Sequence, residues 1–272
     1  MRDATGSVSA PTCIDDPDDP RLADYRALND AALRRSIEGD NVCIAEGAFV
    51  VERLLRHPAL LRSALVADRR WTALGPLADE LTSATMPVYL ASQAVMNTVA
   101  GFDIHRGVLA AARRPTPPDV DALLDTARVV AVLEGINDQE NMGVIFRNAA
   151  ALGIDALLLD FTCCDPWYRR SIRVSMGTVF DVPSARLGSL DQLDGFAVIA
   201  LTPRGDEVLH RVEEDRVALV FGAEGPGLTD TTLAACHHRM RIPMRPEVDS
   251  LGVASAAAIA FHVFGRGAQP RR

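Results

Sequence analysis

The sequence contains no lysine: all 28 of its basic residues are arginine. That excludes a G-K-[ST] phosphate loop anywhere in the chain. It also leaves any phosphate contact to guanidinium groups, which suit bidentate binding. Aromatic residues make up 5%. Membrane-spanning runs are missing as well. The apolar run within DSLGVASAAAIAFHVF (249–264) is interrupted by His262 and falls short of the roughly 20 residues a span requires. The five cysteines, Cys13, Cys43, Cys163, Cys164 and Cys236, form no C-x-x-C pair or regular framework. Cys236-His237-His238 lacks a spaced second ligand group, so no metal is expected. The opening residues lack the basic and apolar regions of a secretory signal, and a reduced, cytoplasmic protein is expected.

What is present is a chain of 272 residues, 48% apolar, with a formal charge of −8. It is long enough for one large domain or two modest ones. The acidic total argues weakly against a general nucleic-acid coat. Residues 1–20 read as a disordered tail. RRPTPPDVD (113–121) places three prolines in four positions, which neither a helix nor a central strand can continue. A linker is expected at 114–120. Before it, residues 21–113 alternate a helical pattern, LADYRALNDAALRRSIE, with short runs such as NVCIAEG, SALVAD, PVYLAS and GVLAAA. This predicts a small α/β domain. Over 121–268 the runs VVAVLEG, ALLLD, TVFDVP, FAVIALT, VALVFG and RMRIPM read as buried parallel strands separated by helices. In such sheets ligands sit beyond the carboxyl ends of the strands.

Three strand-end loops stand out. In LEGINDQENMGVIFRNAAALGI (133–154), Asn141 and Gly143 open an apolar-periodic helix that displays Arg147; a plain capped helix with Asn141 as N-cap is the competing reading. In VALVFGAEGPGLTD (217–230), a strand runs into three glycines around Glu224. Their G-x-x-G-x-G spacing is not the dinucleotide fingerprint, which disfavours a nicotinamide-dependent oxidoreductase. In RIPMRPEVDSLGVASAAAIAF (241–261), small residues after Ser250 allow close packing on a ligand or backbone, or simply form a buried helix capped by Asp249 or Ser250.

Taken in order, N-x-G-x-x-x-R-x-A, F-G-x-E-x-x-G-L, then I-P-M and S-L-x-V closely resemble the motifs of the SpoU/TrmH family of RNA ribose 2′-O-methyltransferases, within the SPOUT superfamily. CIAEGAFVVERLL and FDIHRGVLA likewise resemble the entry and exit of that family's substrate-binding module. The resemblance implies a trefoil-knotted, parallel-sheet methyltransferase domain behind a small α/β RNA-binding domain. It implies S-adenosylmethionine held by Thr202, Phe221, Gly222, Ala223, Glu224, Gly225, Gly227, Ile242, Pro243, Met244, Ser250, Leu251 and Val253. Arg147 is the implied catalytic residue, supported by Asn141, Glu224 and Ser250. Because a guanidinium stays protonated, stabilisation of developing alkoxide charge is favoured over proton removal.

The implied assembly is a homodimer in which the partner's arginine loop completes each pocket. The implied substrate is structured RNA, rRNA before tRNA, contacted by Arg34, Arg35, Arg113, Arg114 and Arg147 on one face. An RNA-binding relative without turnover is the alternative. Where the family's third motif reads S-L-N-V-S, this chain has Ser250-Leu251-Gly252-Val253-Ala254.

Overall fold

The computed structural model describes residues 10–30, 34 and 41–267. The chain divides into two compact units, Met1–Pro115 with Trp167–Phe180, and Thr116–Pro166 with Asp181–Arg272.

The first unit is built on a mixed five-stranded sheet of order β1-β4-β3-β5-β2, from β1 (Thr12–Cys13), β2 (Val42–Glu46), β3 (Leu61–Ala67), β4 (Val88–Ala91) and β5 (Val108–Arg113). Around it lie helices α1 (Ala48–Leu55), α2 (Asp68–Trp71), α3 (Pro76–Ser83) and α4 (Gln93–Ala100). Its core gathers Leu22, Tyr25, Ile44, Leu65, Met96 and Leu109. The fully buried phenol of Tyr25 has its polar atom satisfied: Oη lies 2.8 Å from Ser63 Oγ and accepts the Ala111 amide at 3.2 Å. Residues 10–20 do not belong to a disordered tail, since β1 pairs in parallel with β4, Thr12 against Tyr89. Of the expected helix at 22–38, Pro20–Tyr25 forms a 3₁₀ turn, and residues 31–33 and 35–38 lie outside the described residues.

The second unit carries a seven-stranded sheet, parallel throughout, of order β10-β12-β9-β11-β6-β7-β8. Its strands are β6 (Val129–Glu134), β7 (Ala156–Leu159), β8 (Ser184–Arg186), β9 (Ala197–Leu201), β10 (Glu207–Val208), β11 (Val217–Gly222) and β12 (His238–Arg241). Because β6, β7, β9 and β11 are buried on both faces, they read in sequence as unbroken apolar runs. TVFDVP is a correction: Thr178–Phe180 is a 3₁₀ turn and the strand starts later, at Ser184.

Helices cover both faces. Leu124 of α5 (Val120–Thr126) joins Val130, Val132, Leu158, Val198 and Val220 on one side. On the other, α6 (Gln139–Leu152) and α9 (Val253–Phe264) pack together, and Phe261 meets Phe221 edge to face at 5.6 Å and 87°. Asn148 Nδ2 donates to the Ala254 carbonyl at 3.0 Å, locking the two helices in register. Helix α8 (Asp230–Ala235) lies between β11 and β12 in the chain.

The segment Trp167–Phe180, with helix α7 (Arg169–Val174), clusters with the first unit. Arg169 and Arg173 both turn to the buried carboxylate of Glu46, and the Arg169 guanidinium lies over Phe102, 4.8 Å from the ring centroid. A carboxylate that is 5% exposed holds both arginines.

Candidate functional site

All strands of the second sheet run the same way, so the loops after β6, β7, β9, β11 and β12 emerge at one edge. There, a cavity of ≈ 690 Å³ lies between the loops after β9, β11 and β12 and the start of α9. Thr202, Phe221, Gly222, Ala223, Glu224, Gly225, Gly227, Ile242, Met244, Ser250, Leu251 and Val253 line it. Pro243 does not. Sequence reasoning missed Leu201, Pro203, Arg204, Pro226, Leu228, Asp230, Leu233, Arg239, Met240, Asp249, Gly252 and Ala256, which also line it. Most of these flank the motifs, and the parallel strand ends were the available signal.

The glycine loop has a specific build. Ala223 and Gly227 form an antiparallel bridge, with the Gly227 amide donating to the Ala223 carbonyl at 3.0 Å. A Cβ on Gly222 would fall 2.3 Å from the Gly227 carbonyl carbon, so only glycine allows the loop to close. The exit of the loop is tied down by Glu134 at the end of β6. Its carboxylate accepts the Thr229 amide at 2.8 Å and the Thr232 hydroxyl. The cavity wall is therefore held by backbone geometry on one side and by a carboxylate anchor on the other.

Asn141 does not cap α6. Asp138 does, its carboxylate accepting the Asn141 amide at 2.8 Å, which places Asn141 inside the first turn. Arg147 stands exposed two turns along the same helix, and among the described residues its guanidinium has no hydrogen-bond or ion-pair partner. Neither Asn141 nor Arg147 lines the cavity, whereas Glu224 and Ser250 do. Helix α9 begins at Gly252, which provides no side-chain cap, rather than at Asp249 or Ser250.

The expected basic face is also corrected in part. Arg34 is 2% exposed, and its guanidinium donates to the carbonyls of Asp24 and Arg26 at 2.8 and 3.1 Å. Buried and satisfied internally, it has no reach to RNA. Arg114 is half-buried, with Nε donating to the Val42 carbonyl at 3.0 Å. Arg113 is exposed, and Arg35 lies outside the described residues.

Among the described residues, no cluster of three or more His, Cys, Asp or Glu side chains is placed to hold a metal, and no helix is long and apolar enough to cross a membrane. Burial pushes the Cys163 thiol up to about 12, and those of Cys164 and Cys236 up to about 11.

A two-unit α/β chain with a parallel sheet and a cavity built from the loops beyond its strand ends belongs to the α/β class whose ligands bind at the carboxyl ends of the strands. Residues 128–262 match the SpoU rRNA methylase family model. The chain is 47% identical over 260 residues to an uncharacterised tRNA/rRNA methyltransferase of Mycobacterium bovis, covering 91% of this chain and 89% of that one. It belongs to the SpoU/TrmH family of the SPOUT superfamily of RNA methyltransferases. It is 24% identical to the 23S rRNA (guanosine(2553)-2′-O)-methyltransferase of Bacillus subtilis, over 93% of this chain and 99% of that one. Among solved structures, the SpoU methyltransferase AviRb of Streptomyces viridochromogenes, in complex with AdoMet, superposes with a TM-score of 0.75 at 21% identity, covering 90% of this chain and 96% of that one.

Proposed function

We propose that this chain is an S-adenosylmethionine-dependent RNA ribose 2′-O-methyltransferase that acts on ribosomal RNA in the cytoplasm as a homodimer. The observation that carries the reading is the single cavity into which the β11 and β12 loops and the head of α9 converge. Its volume falls within the roughly 300–1,000 Å³ of small-molecule pockets. Its lining fits the cofactor. Leu201, Ile242, Met244 and Leu251 offer an apolar surround for a purine, and the glycine loop offers bare backbone. Glu224, Asp230 and Asp249 supply carboxylates suited to a molecule carrying a sulfonium and an ammonium.

Bound there, the cofactor supplies an electrophilic methyl group. The chain's own contribution is to position and to stabilise charge. Glu134 and the Ala223–Gly227 bridge hold the cavity wall, so that little reorganisation is needed when substrate arrives. The Arg147 guanidinium is available to a ribose oxygen or a neighbouring phosphate because it is spent on nothing else among the described residues. Ser250 places a hydroxyl at the cavity rim. That Arg147 and Asn141 stand outside the lining of their own cavity supports an assembly in which each subunit lends its arginine helix to the other's pocket.

Gly252 in place of the family's asparagine favours a second reading, an RNA-binding relative with little turnover. Against it stand Asn141, Arg147, Glu224 and Ser250, all retained. The test is calorimetry with S-adenosylmethionine, paired with transfer of a tritiated methyl group to unmodified rRNA. Binding with transfer supports the enzyme, and binding without transfer to rRNA or tRNA supports the second reading.

A further inference from the structure

The loop after β7 is a strand-end loop at this edge that the function proposed above leaves unused, and it carries the most exposed large apolar side chain of the described residues. Phe161 is 74% exposed, and its ring meets no other ring or cation among them. The turn beneath it is anything but loose. The Asp160 carboxylate accepts the amides of Gly135, Thr162 and Cys163 at 3.2, 3.1 and 2.9 Å, and the Thr162 hydroxyl at 2.7 Å. Cys163 Sγ accepts the Ile136 amide and donates to the Leu133 carbonyl, while the Arg186 guanidinium reaches the carbonyls of Asp160 and Cys163. A rigid turn that displays a bare ring gives up burial that a small backbone change would have regained.

Its location gives the ring a use. A Cβ built on Gly135 would lie 3.3 Å from Ala223 Cβ and 3.7 Å from Thr162 Oγ1. Phe161 therefore stands next to the point where the β6 loop, leading to Arg147, meets the glycine loop of the cavity. We propose that Phe161 is a stacking platform for a nucleobase of the RNA substrate beside the methylation pocket. This rests on the RNA-methyltransferase reading and adds to it a base contact that the motif residues do not provide.

The surroundings favour a base over other occupants. Phe161 is flanked by Asp160 and exposed Thr162, not by further apolar residues. Subunit interfaces bury clustered anchors, whereas a single flat ring in a polar setting suits base stacking, which works for any base. The neighbouring carboxylate of Asp160 disfavours a phosphate in the same place.

The experiment measures binding of unmodified ribosomal RNA to full-length wild-type protein and to Phe161→Ala, Phe161→Leu and Phe161→Trp variants, together with sedimentation of each protein. Stacking predicts a loss of affinity of about 5- to 100-fold for Phe161→Ala. It predicts a similar loss for Phe161→Leu, wild-type or tighter binding for Phe161→Trp, and unchanged sedimentation throughout. Full affinity in Phe161→Leu would overturn stacking in favour of plain apolar contact. A changed sedimentation coefficient in Phe161→Ala would overturn it in favour of a second copy of the chain covering the ring. Methyl transfer is scored separately: wild type that binds RNA without methylating it refutes the functional reading and leaves the platform to the affinity data. Wild type that fails to bind RNA refutes both.

Discussion

A carboxylate oxygen of Glu224 lies 3.4 Å from the point where Gly252 would carry a Cβ. The two residues face each other across the cavity rim, one at the glycine loop and the other at the head of α9. Gly252 has φ −56° and ψ 142°, a conformation open to any residue, so glycine is not required by the backbone.

Gly252→Asn is therefore expected to be accepted. The exposed Glu224 side chain can shift by the small amount needed, and the new amide caps a helix that has no side-chain cap. A gain of a few tenths of a kcal/mol, or roughly 1 °C in Tm, is expected. Methyl transfer should rise, because the added donor supplies a hydrogen bond worth about 1 kcal/mol at the rim. Scanning calorimetry and a transfer assay check the two effects, and a lower Tm would show that the rim is built around the missing side chain.

Arg147→Ala should leave the fold and cofactor affinity intact, because the guanidinium holds nothing in the described chain. Transfer should fall by about 10²- to 10³-fold. If Arg147 acts as a cation, Arg147→Lys should lower the height of the pH-rate profile and keep its shape. A shifted profile would point to proton removal.

Asp160 predicts a specific acid sensitivity. Burial pushes its carboxyl up, but the hydrogen bonds from Thr162, Gly135 and Cys163 together outweigh this and hold it below its ordinary value. A carboxyl lowered by folding contributes stability that is present above its unfolded pKa, near 4, and is lost as pH falls through the folded value. Asp160→Asn should destabilise the protein at pH 7 by about 1–3 kcal/mol, with the difference from wild type shrinking below pH 4. Denaturant midpoints measured between pH 7 and pH 3 test this.

Thiol reactivity should be uneven. Cys13 is exposed, whereas Cys43 and Cys163 are buried, and burial raises Cys163 to about 12 and Cys164 to about 11. Since the thiolate is the reactive form, brief iodoacetamide treatment at pH 7.5 should modify Cys13 first. Peptide mass analysis that found Cys163 labelled as fast would contradict the locked turn beneath Phe161.

The parts legible in sequence were those written in local pattern. Buried parallel strands such as Val129–Glu134 and Val217–Gly222 read as apolar runs, and the loops after them fell where the cavity lies. What failed depended on long-range packing. Thr12–Cys13 sits in an acidic, proline-rich stretch that is a strand only because β4 offers an edge. Glu207–Val208 is too short to show a pattern. Trp167–Phe180 joins the first unit through Glu46, more than 100 residues upstream, and Arg34 looked like a surface cation but is spent on two carbonyls. The N-cap of α6 was misplaced because Asp138 and Asn141 are both good caps, and only the geometry separates them.

The most direct measurement is ribose-methylation mapping of total RNA from cells with the gene, without it, and with the Arg147→Ala variant restored in its place. The account predicts a ribose 2′-O-methyl mark in ribosomal RNA that disappears on deletion, returns with the wild-type chain and stays absent with the variant. Identical ribose maps in all three strains would contradict it.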